Sequence, residues 1–89
     1  MARIGIVGGG AFGTAMACVL RRSRHAVTLW AREPEVVASI NRDALNPQFL
    51  EGVALPPGIA ATGDLGAAVR GAELVLLAPP AQYLSLIHI

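Results

Sequence analysis

The sequence predicts an α/β fold, one half of a doubly wound parallel sheet, from three observations. Short β-branched runs alternate with helix-forming segments along the chain. A cluster of glycines separates the first run from the first helical segment. Apolar residues make up 54% of the 89 and charged residues only 15%, a balance that builds a packed core.

Ile4 to Val7 is a β-branched apolar run stopped by Gly8-Gly9-Gly10, which predicts a buried strand. Gly13 to Ser23 carries Ala, Met, Val and Leu without an interior proline and predicts a helix. Ala15, Val19 and Arg22 share one face of it, flanked by Met16 and Leu20. Arg21, Arg22 and Arg24 fall at its end, where cations suit the negative pole of the helix dipole. Ala26 to Trp30 is a second strand. Pro34 to Asn41 is a second helix, with Pro34 in its first turn and Glu33 and Glu35 at its positive end.

From Arg42 to Gly58 the chain turns irregular, punctuated by Asn46-Pro47, Gly52 and Pro56-Pro57-Gly58. Ile59 to Ala61 predicts a brief third strand, and Thr62-Gly63-Asp64 opens a third helix running through Val69 and closed by Gly71. Glu73 to Ala78 is a fourth strand, stopped by Pro79-Pro80. Parallel neighbours need crossover connections, so β-α-β-α-β-α-β order implies helices over the sheet. In this topology the fourth strand lies beside the first, where strand order reverses and ligands bind.

Composition excludes several classes of function. Seven basic against six acidic residues give a net charge of +1, with neither a polybasic nucleic-acid surface nor an acidic tail. All seven basic residues are arginine, so this chain performs no chemistry that needs a lysine amine. The single Cys18 excludes an internal disulfide and suits a reducing compartment. No stretch approaches the ~18–20 apolar residues of a membrane span. The opening segment lacks the apolar length and cleavage site of a secretory signal, so cytoplasm is expected. A chain of this length buries about 60% of its surface, enough for one domain and too little for a cofactor domain plus a substrate domain.

Gly8-Gly9-Gly10-Ala11-Phe12-Gly13 satisfies G-x-G-x-x-G, and its place between a strand and a helix makes it a dinucleotide-binding signal of the Rossmann type. Gly8 permits the tight turn, Gly10 leaves room for a pyrophosphate, and Gly13 lets the helix lie close to the strand. A glycine-rich turn without a ligand is the alternative. Phe12 projects from the same turn, as a contact or as an anchor for the helix.

An NAD site usually places an acid at the end of the second strand, about twenty residues beyond the glycines. Here Ala31 occupies that place and Arg32 follows. A guanidinium matches a 2′-phosphate through paired hydrogen bonds, so NADP is expected in preference to NAD. Arg32 as a solvated surface residue is the alternative, and Glu33 reads better as a helix-start charge than as a ribose ligand. The missing acid also counts against a flavin site. Beyond the fourth strand, small and proline residues permit close approach to the cofactor, and Gln82 is a polar contact or a solvated loop residue.

Cys18 reads as packed within its helix, and His25 stands in a turn with no Ser, Cys or Asp arranged around it. His25 and His88 make no metal set. The sequence thus offers a binding site and no catalytic or metal residues.

With these residues in hand, the chain resembles the amino-terminal part of the bacterial-type NAD(P)-dependent glycerol-3-phosphate dehydrogenases. The resemblance rests on Gly8 to Ala15, on Val27 to Arg32, and on Ile40-Asn41, Asn46, Phe49-Leu50, Gly52 and Leu55-Pro56. Ala61 to Leu65 and Ala72 to Ala78 complete it, so that it spans residues 3 to 84. The Asn41–Pro56 stretch is diagnostic, because a generic dinucleotide fold does not require it. The resemblance implies reduction of dihydroxyacetone phosphate to sn-glycerol 3-phosphate for phospholipid synthesis. It also admits a homodimer for the full-length enzyme.

By the same resemblance Ala11, Phe12 and Arg32 fall on cofactor-contacting positions, while the family's catalytic lysines lie beyond residue 89. Phe12 stands where tryptophan is common, Glu51 where proline is usual, and Pro79 where an aliphatic residue precedes Pro80. A 6-phosphogluconate or β-hydroxyacid dehydrogenase shares the glycine loop, but the Asn41–Pro56 pattern counts against it. A non-catalytic nucleotide-binding module would need to be stable with its sheet edge uncovered.

The unit expected from this reading is an incomplete cofactor-binding domain over residues 1–83, with no substrate domain. The last six residues, Leu84 to Ile89, do not resemble the helix that the family runs after this loop. Read back as CTG TCT CTT ATA CAC ATC, they resemble a transposon-derived sequencing adaptor. A foreign tail is therefore expected there, with a genuine short strand or a frameshifted end as the alternative.

Overall fold

The computed structural model describes residues 1–47 and 53–78. Seven elements follow in order: β1 (Arg3–Val7), α1 (Ala11–Arg22), β2 (Ala26–Trp30), α2 (Pro34–Asp43), β3 (Ile59–Thr62), α3 (Leu65–Val69) and β4 (Leu74–Leu77). The four strands form one parallel sheet in the order β3-β2-β1-β4. The fourth strand lies beside the first, as the alternation predicts.

Strand parity divides the sheet into two faces. Ile4 aligns with Val27 and Leu74, Ile6 with Leu29 and Leu76, and Val27 and Leu29 with Ile59 and Ala61. These residues share the face that packs against Ala17 and Cys18 of α1 and Val36 and Ile40 of α2. Ile6 and Leu29 are wholly buried, each contributing about 1.5–3 kcal/mol of hydrophobic stabilisation. On the opposite face α3 packs against β1, β2 and β3. There Gly5 lies so close to the backbone of Ala68 that a Cβ on it would collide with the Ala68 carbonyl oxygen.

The first two helices differ from expectation. Helix α1 begins at Ala11 rather than Gly13, because extended Gly10 already caps it and Gly13 lies one turn inside. Its buried face is Gly13, Thr14, Ala17 and Cys18, whereas Val19 is 56% exposed. Those four residues share one helical face, and Val19 projects away from it. Helix α2 runs two residues past Asn41 to Asp43 and ends on Ala44 in the left-handed region (φ 55°).

The irregular connection after α2 is held at several points. Leu55 donates its N–H to the Ala44 carbonyl at 2.7 Å, and its side chain joins the core. Arg21 donates from Nε to the Pro57 carbonyl at 2.9 Å and from a terminal nitrogen to the His25 carbonyl at 3.1 Å. His25 in turn accepts from the N–H of Ala2 through Nδ1 at 3.0 Å, so its role in the turn is structural. Asp64 caps α3 by accepting from the Gly66 N–H at 2.9 Å. Phe49, Leu50, Glu51 and Gly52, and everything from Pro79 onward including Gln82 and His88, lie outside the described residues.

Candidate functional site

The glycine loop sits at the C-terminal end of β1, between β2 and β4. Gly8 has φ +133°, a conformation that side chains rarely adopt, and donates its N–H to the Trp30 carbonyl at 3.0 Å. A Cβ at Gly8 would run into the carbonyl oxygen of Ala78. A Cβ at Gly13 would run into the carbonyl oxygen of Gly8, with the Ala78 methyl at 3.2 Å. A Cβ at Gly9 would stand 2.5 Å from that of Ala31. Packing within the fold therefore accounts for three of the loop's glycines.

Gly10 is different. Its dihedrals (φ −79°, ψ −166°) are open to any residue, and a Cβ there would meet none of the described residues within 4 Å. Its carbonyl accepts the first hydrogen bond of α1, from Thr14 N–H at 3.0 Å. The N–H groups of Ala11, Phe12 and Gly13 are the orphan donors of the first turn, and no acidic residue there offsets them. The positive end of α1 thus faces open space across a position with no side chain, the arrangement that suits an anion.

Around this loop the candidate residues divide. Ala11 is exposed, and Phe12 is 49% exposed, which removes the reading of Phe12 as a core anchor. Arg32 is exposed and makes no hydrogen bond or ion pair with any described residue. Glu33 is the residue that caps α2, and its side chain makes no capping bond.

Ala31 is corrected. Parity along 27, 29 and 31 turns its side chain inward against Gly9, and it is wholly buried. An acid at Ala31 would be buried under the loop rather than presented to a ribose. The first residue after β2 free to reach a ligand is Arg32.

Two asparagines organise the site, and the motif reading assigns neither a role. Asn46, 3% exposed, donates from Nδ2 to the Gly9 carbonyl at 2.9 Å and to Thr14 Oγ1 at 2.6 Å. Asn41 exchanges two bonds of 2.8 Å with the backbone of Ala61, donating to its carbonyl and accepting from its N–H. The available signal was a pair of polar residues inside the diagnostic stretch, without a partner in sequence to suggest what they hold.

Other groups fall away from the site. Cys18 is buried in α1, where desolvation raises its thiol pKa and the nearby Arg22 charge partly offsets the rise. Among the described residues no three His, Cys, Asp or Glu gather as metal ligands, and no helix is long and apolar enough to cross a membrane.

Residues 3–88 match the family described as the NAD-dependent glycerol-3-phosphate dehydrogenase N-terminus. The chain belongs to this family. A curated relative from Rhodospirillum rubrum, glycerol-3-phosphate dehydrogenase [NAD(P)+], is 58% identical over 81 residues, which are 91% of this chain and 23% of that protein. One of the same name from Paramagnetospirillum magneticum is 50% identical over 84 residues, 94% of this chain and 30% of that protein. The crystal structure of the Coxiella burnetii glycerol-3-phosphate dehydrogenase superposes with a TM-score of 0.76 at 33% identity, over 85% of this chain and 23% of that one. The chain thus spans about a quarter of the length of the dehydrogenases it matches. The glycine loop and both asparagines lie within the matched family segment.

Proposed function

We propose that this chain is the cofactor-binding part of an NAD(P)-dependent glycerol-3-phosphate dehydrogenase that reduces dihydroxyacetone phosphate to sn-glycerol 3-phosphate. The observation that carries the reading is Gly10. Its conformation and its described surroundings both tolerate a side chain, so the described residues give no reason for glycine there. Something that approaches from outside does.

A dinucleotide fits these residues. Its pyrophosphate meets the bare Gly10 and the free amides of Ala11, Phe12 and Gly13, with Gly8 and Gly13 setting the turn. Arg32 has no competing partner among the described residues and is free to take the 2′-phosphate, which favours NADP over NAD. Phe12 supplies exposed apolar surface beside the same turn. When bound, the reduced nicotinamide supplies the reducing equivalents. The chain's own residues bind and orient it. A cytoplasmic location and a homodimer of the full-length enzyme belong to the same proposal.

The test is Gly10→Ala in a full-length chimera, with this segment replacing the matched 81 residues of the Rhodospirillum rubrum enzyme. Stability should change by less than about 1 kcal/mol, the scale of a cap substitution. NADPH affinity should fall at least about tenfold, because the methyl occupies the path of the pyrophosphate. Unchanged NADPH affinity in the folded variant would remove the ligand from this loop.

A further inference from the structure

Asn46 reaches the glycine loop from the irregular segment after α2, yet it stands behind the loop, on its buried side. The atom facing the Gly9 carbonyl must be a donor, since a carbonyl only accepts, which fixes the amide orientation with Nδ2 toward Gly9. Both hydrogens of Nδ2 are then used, one on Gly9 and one on wholly buried Thr14.

The consequence lies in the Gly9–Gly10 peptide. The bond is trans, as are all those described, so its C=O and N–H point in opposite directions. Holding the Gly9 oxygen toward the buried amide aims the Gly10 N–H away from the core. That N–H has no partner among the described residues. A peptide between two glycines is little restrained by side chains, and a flip of this one would put a carbonyl where a donor should stand.

We infer that Asn46 is a positioning residue for cofactor binding: it locks the Gly9–Gly10 peptide so that the Gly10 N–H is presented to the cofactor's pyrophosphate. The inference rests on the dinucleotide reading of the loop and names the residue outside the glycine motif that makes it work. Asn46 touches no ligand. Its effect is carried wholly by the orientation of one peptide plane.

The experiment compares Asn46→Ala with Thr14→Val in the same full-length chimera. Thr14→Val removes the second bond of the Asn46 amide but leaves the first, so it loosens the amide's packing without freeing Gly9. Two ligands are titrated: NADPH, and adenosine 2′-phosphate, which lacks the pyrophosphate. Asn46→Ala should weaken NADPH about tenfold, the worth of one hydrogen bond to a charged group. It should leave adenosine 2′-phosphate within about twofold of the parent. Thr14→Val should lower the melting temperature while holding NADPH affinity.

Equal loss of both ligands in Asn46→Ala, or equal loss of NADPH in the two variants, would show a structural role only and overturn the inference. So would full NADPH affinity in a folded Asn46→Ala protein. If Asn46→Ala does not fold, Asn46→Ser carries the same comparison with a short hydroxyl donor that restores part of the affinity. A parent that fails to bind NADPH would overturn the dinucleotide reading itself, an outcome distinct from any result of the variants.

Discussion

Arg32 and Ala31 are adjacent in sequence and opposite in fate. Ala31 continues the inward parity of β2 and is wholly buried against Gly9, while Arg32 turns out to solvent without a partner among the described residues. A motif reading that counts residues to the expected acid lands on Ala31. The backbone shows that the count ends one residue short of the surface. Because Arg32 holds nothing else in place, Arg32→Ala in the full-length chimera should leave the melting temperature unchanged. The ratio of kcat/KM for NADPH over NADH should fall about tenfold or more, since a guanidinium pairs with the 2′-phosphate and has nothing to pair with in NADH. An unchanged ratio would mean that the 2′-phosphate is held elsewhere.

At the scale of elements, the sheet depends on a clamp that no propensity argument contains. Strand β3 is the outer strand on its side of the described sheet, and its outward backbone groups need partners. Asn41, in the last turns of α2, supplies both for Ala61 through its side-chain amide. Asn41→Ala should therefore destabilise the protein by about 1–2 kcal/mol, read as a lower denaturation midpoint, because two partly buried bonds are lost together. A change within experimental error would show that water replaces the amide without cost.

This clamp and the Asn46 lock mark where the sequence stops being informative. Strand existence and order were legible, because β-branched runs and glycine punctuation are local signals. The packing roles of Gly8 and Gly13 were legible for the same reason. The buried face of α1 was legible only at Cys18: the face shared by Ala15, Val19 and Arg22 lies outward, and Gly13, Thr14, Ala17 and Cys18 meet the sheet. The asparagines were not legible because their partners are backbone atoms 20 and 37 residues away. No side-chain pattern records such a partner.

For the whole molecule, the two edges of the described sheet differ in kind. On the β3 side, Ile59 and Ala61 are buried and Asn41 closes the outer backbone. On the β4 side, Leu74 is 49% exposed, Val75 40% and Leu77 74%, so apolar side chains stand open on both faces of the strand. Strand parity makes this unavoidable, since Leu74 points to the α1 face and Val75 and Leu77 to the face of α3. Helix α3 has only five residues and cannot cover the second set. An exposed, apolar outer strand is a template for association. The 89-residue chain prepared alone should therefore self-associate and bind an apolar dye, and a Leu74→Glu, Leu77→Glu double variant should shift it toward monomer in light scattering. In the full-length chimera, wild-type Leu74 and Leu77 should cause no such association, because the remaining three quarters of the dehydrogenase would cover β4. A monodisperse, dye-free monomer from the isolated chain would show that β4 needs no cover, and would favour a self-sufficient nucleotide-binding module over part of a larger reductase.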